Sequence, residues 1–230
     1  MSWDDRFADQ YEEWSRPMTA DIPFYVGLAR DARGPLAELG VGNGRVAIPV
    51  AQATGRRVIG IDSSRPMLEQ ARARAAEAGV DLDLREGDMR DLTLAEPAAL
   101  IYCPYRALLH LPTWLDRRRT FERVAASLRP DGRFAWNAFA FDHEAATRNA
   151  AAHRDQPVPH TVQYFAGDNR IDITLDTGAK SSLWWATKNE WLGLMDVAGL
   201  EEEALYGGFA GEPFDEDSRE YVFVARRKPS

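Results

Sequence analysis

Residues 36–46 read Leu-Ala-Glu-Leu-Gly-Val-Gly-Asn-Gly-Arg-Val. A short apolar run carrying one acid leads into glycine at every second position, Gly40, Gly42 and Gly44. Val46, Ile48, Val50 and Ala51 then follow at helical spacing. The pattern predicts a strand, a tight turn and a helix start. Glycine admits positive φ and lacks the Cβ that keeps a ligand off the main chain. The first turn of the next helix offers unpaired N–H groups. The segment therefore predicts a place where a nucleotide-like ligand lies against bare backbone.

The rest of the chain reads as an alternation around this unit. A helical stripe of aromatics, Trp3, Phe7, Tyr11 and Trp14, and a second helix over 19–33 come first. Strands are expected at 36–41, 57–61, 82–86, 98–102 and 133–139, with helices at 44–53, 65–78 and 113–128 between them. Strands separated by helices of this length form parallel sheets through right-handed crossovers. Beyond residue 150 the pattern changes to strands at 161–167, 170–175 and 181–186, the last two alternating like a half-buried hairpin. Thr187-Lys188-Asn189-Glu190 is a capping box for a helix at 188–198, and strands at 200–209 and 220–226 finish the chain.

Bulk composition narrows the function. The 230 residues are 45% hydrophobic, enough for a sizeable core, with a formal net charge of -8. The densest basic run, Arg117-Arg118-Arg119, lies mostly off the apolar stripe of its helix and reads as a solvated face, so nucleic acid is not an expected partner. One cysteine, Cys103, excludes an internal disulfide. No signal peptide pattern and no membrane-length apolar run are present, which predicts a cytoplasmic protein with no membrane partner.

The strand ends carry specific chemistry. Asp62 follows the second strand, 18 residues beyond Gly44, where an acid can accept both hydroxyls of a ribose. Gly87-Asp88-Met89-Arg90-Asp91-Leu92 follows the third. A nicotinamide dinucleotide site wants G-x-G-x-x-G, and Arg45 stands where its third glycine belongs. Glu38-x-Gly40-x-Gly42-x-Gly44 instead resembles motif I of the class I S-adenosylmethionine-dependent methyltransferases of small-molecule type. Gly60-Ile61-Asp62-Ser63-Ser64, Gly87 to Leu92, and Leu128-Arg129-Pro130-Asp131-Gly132-Arg133-Phe134 resemble the same family, in its order, across residues 36–140.

The resemblance implies a three-layer αβα sandwich, α/β in class. It has a mostly parallel seven-stranded sheet with an antiparallel C-terminal strand, an N-terminal helical lid and an inserted β-hairpin. One methyltransferase domain over 1–230 is expected: lid 1–33, cofactor core 34–140, acceptor-side insertion 141–187 and C-terminal helix and sheet edge 188–230. S-adenosyl-L-methionine is the implied cofactor. Gly40, Gly42 and Gly44 would admit its methionine moiety, with Glu38 orienting the ammonium. Asp62 would hold the ribose, Ser63 and Met67 would line the adenosine, and Asp88 and Met89 would meet the adenine. Cys103 and Tyr105 would border the methionine end, and Tyr11 would close from the lid. The plainer alternatives are a Glu38–Arg45 ion pair, a packed Met67, and Asp88 as a helix cap.

Methyl transfer from a sulfonium needs alignment above all, and a general base only where the acceptor loses a proton early. His110 is the candidate base, with Tyr11 as a second catalytic candidate. His143, His153 and His160 lie in the acceptor-side segment. Trp184 and Trp185 are adjacent in a strand, so at most one faces the pocket. The expected activity is methyl transfer to an N or O atom of a small molecule, by a monomer or homodimer without a metal. The alternative is a non-catalytic S-adenosylmethionine-binding regulatory protein.

Overall fold

A computed structural model gives the fold and describes residues 3, 5–148 and 151–228. The glycine-led alternation builds strands β1 (Leu36–Leu39), β2 (Val58–Asp62), β3 (Leu82–Glu86), β4 (Ala98–Cys103) and β5 (Leu128–Phe139). Between them run helices α3 (Ala47–Thr54), α4 (Arg65–Glu77) and α5 (Trp114–Ser127), preceded by α1 (Ala8–Ser15) and α2 (Asp21–Asp31). Local chemistry sets the helix ends. Ser64 is extended before Pro66 in the first turn of α4, and Thr113 accepts from Asp116 N at 3.0 Å to cap α5. The Thr187–Glu190 capping box opens α7 (Lys188–Val197) with both of its bonds made.

The large sheet runs β3-β2-β1-β4-β5-β11-β10, completed by β10 (Leu200–Tyr206) and β11 (Glu220–Arg227). The first five strands are parallel and β11 runs antiparallel to β5 and β10. Alternate residues of β4 supply opposite faces. Leu100 and Tyr102 pack with α2, α3 and α4, while Ile101 and Cys103 pack with α5 and α7. Both sides are covered, so β4 is buried throughout and reads as one apolar run. Chain order reverses between β1 and β4, which opens the crevice at their carboxyl ends.

The insertion is larger than the expected hairpin. Helix α6 (His143–Arg148) leads into a four-stranded antiparallel sheet of β6 (Ala151–Arg154), β7 (His160–Phe165), β8 (Arg170–Leu175) and β9 (Lys180–Trp184). The aromatic stripe of 3–14 is not one helix. Trp3 makes an antiparallel bridge to Ser181, residues Asp5–Phe7 form a 3-10 turn, and α1 begins at Ala8. Trp3, Phe7 and Trp14 pack with Val158, Ile173, Leu175 and Ala179, so the N-terminal segment adheres to the small sheet. The arginine run also divides. Arg117 is buried, whereas Arg118 and Arg119 are exposed.

Gly60 shows how the core fixes the crevice. A Cβ there would lie 2.8 Å from Val41 Cγ2 and 2.9 Å from Leu84 Cδ2. Gly60→Ala should therefore lower stability by about 1–3 kcal/mol in urea unfolding. An unchanged midpoint would contradict this packing.

Candidate active site

The carboxyl end of β2 organises the crevice. Gly40 N and Val41 N both donate to the Ile61 carbonyl, at 2.8 and 3.1 Å. Gly42 N donates to Asp62 Oδ2 and Ser64 N to Asp62 Oδ1, each at 2.8 Å, while Gly87 N reaches the Asp62 carbonyl at 2.9 Å. Three loops are thus tied to one residue. Burial raises the Asp62 carboxyl above its ordinary range, partly offset by the N–H donors of Ser64, Gly42 and Ser63.

Gly40, Gly42 and Gly44 all have positive φ, at 65°, 54° and 81°. At Gly40 a Cβ would come within 2.7 Å of Ala107 Cβ, and at Gly42 within 3.1 Å of Met67 Cε. Gly44 faces away, toward Ile48 and Ala71, and so shapes the turn without lining the cavity.

A cavity of about 760 Å³ spans the crevice, large within the ~300–1,000 Å³ range of small-molecule sites. On the β2–β3 side Asp62, Ser63, Met67, Asp88 and Met89 line it. Asp88 has its carboxylate held by Arg90: the Arg90 N–H donates at 2.8 Å, making Asp88 the cap of the Met89–Asp91 turn, and the guanidinium pairs at 2.5 Å. That pairing holds the Asp88 carboxyl below its usual range. Both the capping alternative and the cavity position therefore describe Asp88.

On the β4 side the chain takes an unusual path. Tyr105 and Arg106 both have positive φ, 54° and 64°, a conformation costing on the order of 1–3 kcal/mol for a residue with a side chain. Tyr105 meets Tyr11 edge-on at 5.9 Å and lies under the Arg45 guanidinium at 4.8 Å. Arg106 pairs with Glu220 at 2.5 Å and borders the cavity. His110, ending the Ala107–His110 turn, lines the cavity with its ring 5.8 Å edge-on from Trp3.

Besides Gly44, two expected residues do not line the cavity. Cys103 is buried in the core, where burial pushes its thiol well up. Glu38 lies beneath the glycine turn, 1% exposed, and its Oε2 has no hydrogen-bond partner among the described residues. Burial raises its carboxyl well above the ordinary value, with Tyr102 and Arg45 offsetting part of the shift. Arg45 is not its ion-pair partner. That guanidinium forks onto Asp21 at 2.6 and 2.7 Å.

Of the remaining histidines, His160 is buried with Nδ1 2.7 Å from the Val158 carbonyl, His153 faces Asp155, and His143 packs on Phe141. Trp184 lines the cavity, and Trp185 turns away to stack on Phe141 at 3.8 Å. Asp5, Arg106, Ser181 and Leu183 border the cavity without having been picked out from the sequence. No local pattern marks Ser181, which reaches the site through its bridge to Trp3. Tyr11 is half-buried at the cavity, and burial holds its hydroxyl far above the ordinary phenol value.

The residues fit an S-adenosylmethionine moiety. They supply a Cβ-free approach, a carboxylate lining the cavity and a buried carboxylate oxygen without a partner among the described residues. The family model for a methyltransferase domain matches residues 36–132. This match and the relatives below support an S-adenosylmethionine-dependent methyltransferase. The chain is 27% identical over 205 residues to the cypemycin N-terminal methyltransferase of a Streptomyces species, covering 83% of this chain and 82% of that protein. It is 28% identical to the 27-O-demethylrifamycin SV methyltransferase of Amycolatopsis mediterranei, covering 99% and 88%. Its fold superposes on the CcbJ methyltransferase of Streptomyces caelestis with a TM-score of 0.84 and 24% identity, over 100% of this chain and 99% of that one. No helix among the described residues is long and apolar enough to cross a membrane.

The Glu38 environment gives a pH signature. The folded carboxyl binds its proton more tightly than the unfolded one, at an ordinary value of 4.5. Its stabilising contribution is full below that pH and is lost as pH rises toward the folded value. Glu38→Gln does not titrate there. The variant should match the parent near pH 4 and exceed its stability by a margin growing by about 1.4 kcal/mol per pH unit above pH 4.5, up to the folded value. Parallel urea curves across pH would contradict this.

Proposed function

We propose that the methyltransferase transfers a methyl group to a nitrogen or oxygen atom of a small molecule bound between the glycine turn and the inserted sheet. One observation carries the reading. A single cavity is lined on the β2–β3 side by Asp62 and Asp88, and on the β4 side by His110, Trp184 and the N-terminal aromatics. The cofactor, when bound, supplies an activated methyl on a sulfonium, so the protein's task is alignment and exclusion of water. The two relatives support an N or O acceptor, one by its N-terminal methylation and the other by its 27-O-demethyl substrate name.

Each residue has a role on this reading. Asp62 keeps lone pairs free for ribose hydroxyls while its backbone donors hold it in place. Asp88 and Met89 border the adenine, with Ser63 and Met67 along the adenosine. Glu38, buried beneath the glycine turn, orients the ammonium through that turn. Gly40 and Gly42 keep the turn open, and Tyr105 borders the methionine end.

Tyr11 stays neutral, because burial keeps its proton on. It therefore acts as a hydroxyl dipole rather than as a base. His110, the one imidazole lining the cavity among the described residues, takes the acceptor's proton, the imidazole being the side chain that titrates near neutrality. Aromatic faces of Trp3 and Trp184 exclude water and attract the sulfonium charge, at about 0.5–2 kcal/mol per contact.

The test is methyl-labelled S-adenosylmethionine incubated with the protein and a panel of small amines, phenols and alcohols. Label transfer to at least one acceptor is expected. Cofactor binding by calorimetry without transfer to any small molecule, but with transfer into macromolecules of a cell extract, would contradict the small-molecule reading. His110→Ala should lower kcat by about 10²–10⁴, with cofactor affinity preserved. Unchanged kcat removes His110 from proton transfer.

A further inference from the structure

Helix α5 carries a buried cation that the reaction as described does not use. Arg117 is 4% exposed, and no ion pair joins it to a carboxylate among the described residues. Its Nη2 donates to the main-chain carbonyl of Trp184, its guanidinium lies 5.3 Å over the Trp191 ring, and its Nε has no partner among the described residues. Burial pulls this guanidinium down to about 10, with Glu190 and Asp116 opposing at a distance.

Placing an arginine inside a fold without a carboxylate is costly, and an apolar side chain of similar volume serves stability as well or better. A merely structural role therefore explains the residue poorly. What the guanidinium holds is telling. Trp184 ends β9, lines the cavity, and is the point where the chain leaves the inserted sheet for α7.

The same helix braces the opposite wall. Asp116 accepts from Arg90 at 2.8 Å, and Arg119 donates to the Arg90 carbonyl at 3.0 Å, fixing the Met89–Asp91 turn. One helix thus grips both sides of the cavity.

We infer that Arg117 is a positioning residue for the acceptor: it clamps the Trp184 backbone so that the indole forms a fixed wall of the acceptor pocket. This rests on the reading of that side of the cavity as the acceptor pocket. Arg117 touches neither cofactor nor acceptor, and it acts through Trp184 alone. A long donor carried on α5 spans the gap that a methionine or leucine would leave with the Trp184 carbonyl unpaired.

The test compares Arg117→Met, Arg117→Lys, Trp184→Ala and the Arg117→Met/Trp184→Ala double variant. Amide hydrogen exchange needs no acceptor. In Arg117→Met the amides of 183–186 should exchange at least tenfold faster, with β1, β2 and α3 unchanged and affinity for S-adenosylhomocysteine within twofold. With the panel acceptor turned over fastest by the parent, KM for that acceptor should rise at least fivefold. Arg117→Lys should recover part of the loss. The double variant should show no larger KM than Trp184→Ala.

Exchange at 183–186 equal to the parent, exchange accelerated uniformly through the sheet, or KM effects that multiply in the double variant would each overturn the inference. If Arg117→Met does not fold, Arg117→Lys, read by the same exchange and KM criteria, decides. A parent that transfers no label to any panel member would instead defeat the small-molecule reading, and the exchange measurement would still judge the clamp.

Discussion

The Asp62 carboxylate is the interaction on which the crevice depends. A half-buried acid at the end of a central strand is unfavourable on its own, and burial raises its proton affinity accordingly. Here it stands because main-chain donors converge on it, Gly42 N from the glycine turn and Ser64 N from the start of α4. Its own carbonyl takes Gly87 N from the loop after β3. The position of each loop that borders the crevice is therefore set by one residue, and that residue lines the cavity. Gly60, two residues earlier, completes the arrangement by letting Val41 and Leu84 close over the strand.

The roof over this platform combines two elements distant in sequence. The N-terminal segment turns an apolar face of Trp3, Phe7 and Trp14 toward the small sheet. Its polar contacts reach the platform: Ser64 Oγ donates to Asp5 Oδ1 at 2.7 Å, Asn43 Nδ2 to Glu12 Oε2 at 3.0 Å, and Gln70 Nε2 to the Ala8 carbonyl at 3.1 Å. These polar contacts are part-buried, and such hydrogen bonds contribute about 0.5–3 kcal/mol each. The N-terminal segment thus joins the small sheet through packed aromatics and the platform through part-buried hydrogen bonds.

Much of this was legible in the sequence because the signals were local. Glycine spacing marks a turn whose backbone has to take positive φ. Thr187 and Glu190 mark a helix start that the structure caps with both bonds. Leu82–Glu86 falls where its flanking breaks put it. The strand–helix alternation gave the parallel sheet, since crossovers follow a fixed hand.

What was not legible depends on contacts between distant residues. Arg117, Arg118 and Arg119 are indistinguishable as letters, yet only the first turns inward beneath Trp184. Trp3 matches a helical stripe, but pairing with Ser181, 178 positions away, draws it into a bridge. Strand β6 is four residues long and has meaning only beside β7. Arg45 looked like a partner for Glu38 until Asp21, on a helix before the glycine turn, offered it a two-point fork. Arg106 carries no sequence mark of its left-handed backbone, which the Glu220 pairing holds in place.

The most direct measurement is a crystal structure of the protein with S-adenosylhomocysteine bound. The account predicts both ribose hydroxyls on the Asp62 carboxylate, the adenine beside Asp88 and Met89, the amino acid end over Gly40, and the sulfur facing the space bordered by Tyr11, His110 and Trp184. A nucleoside bound away from Asp62, or a sulfur turned from that space, would contradict it.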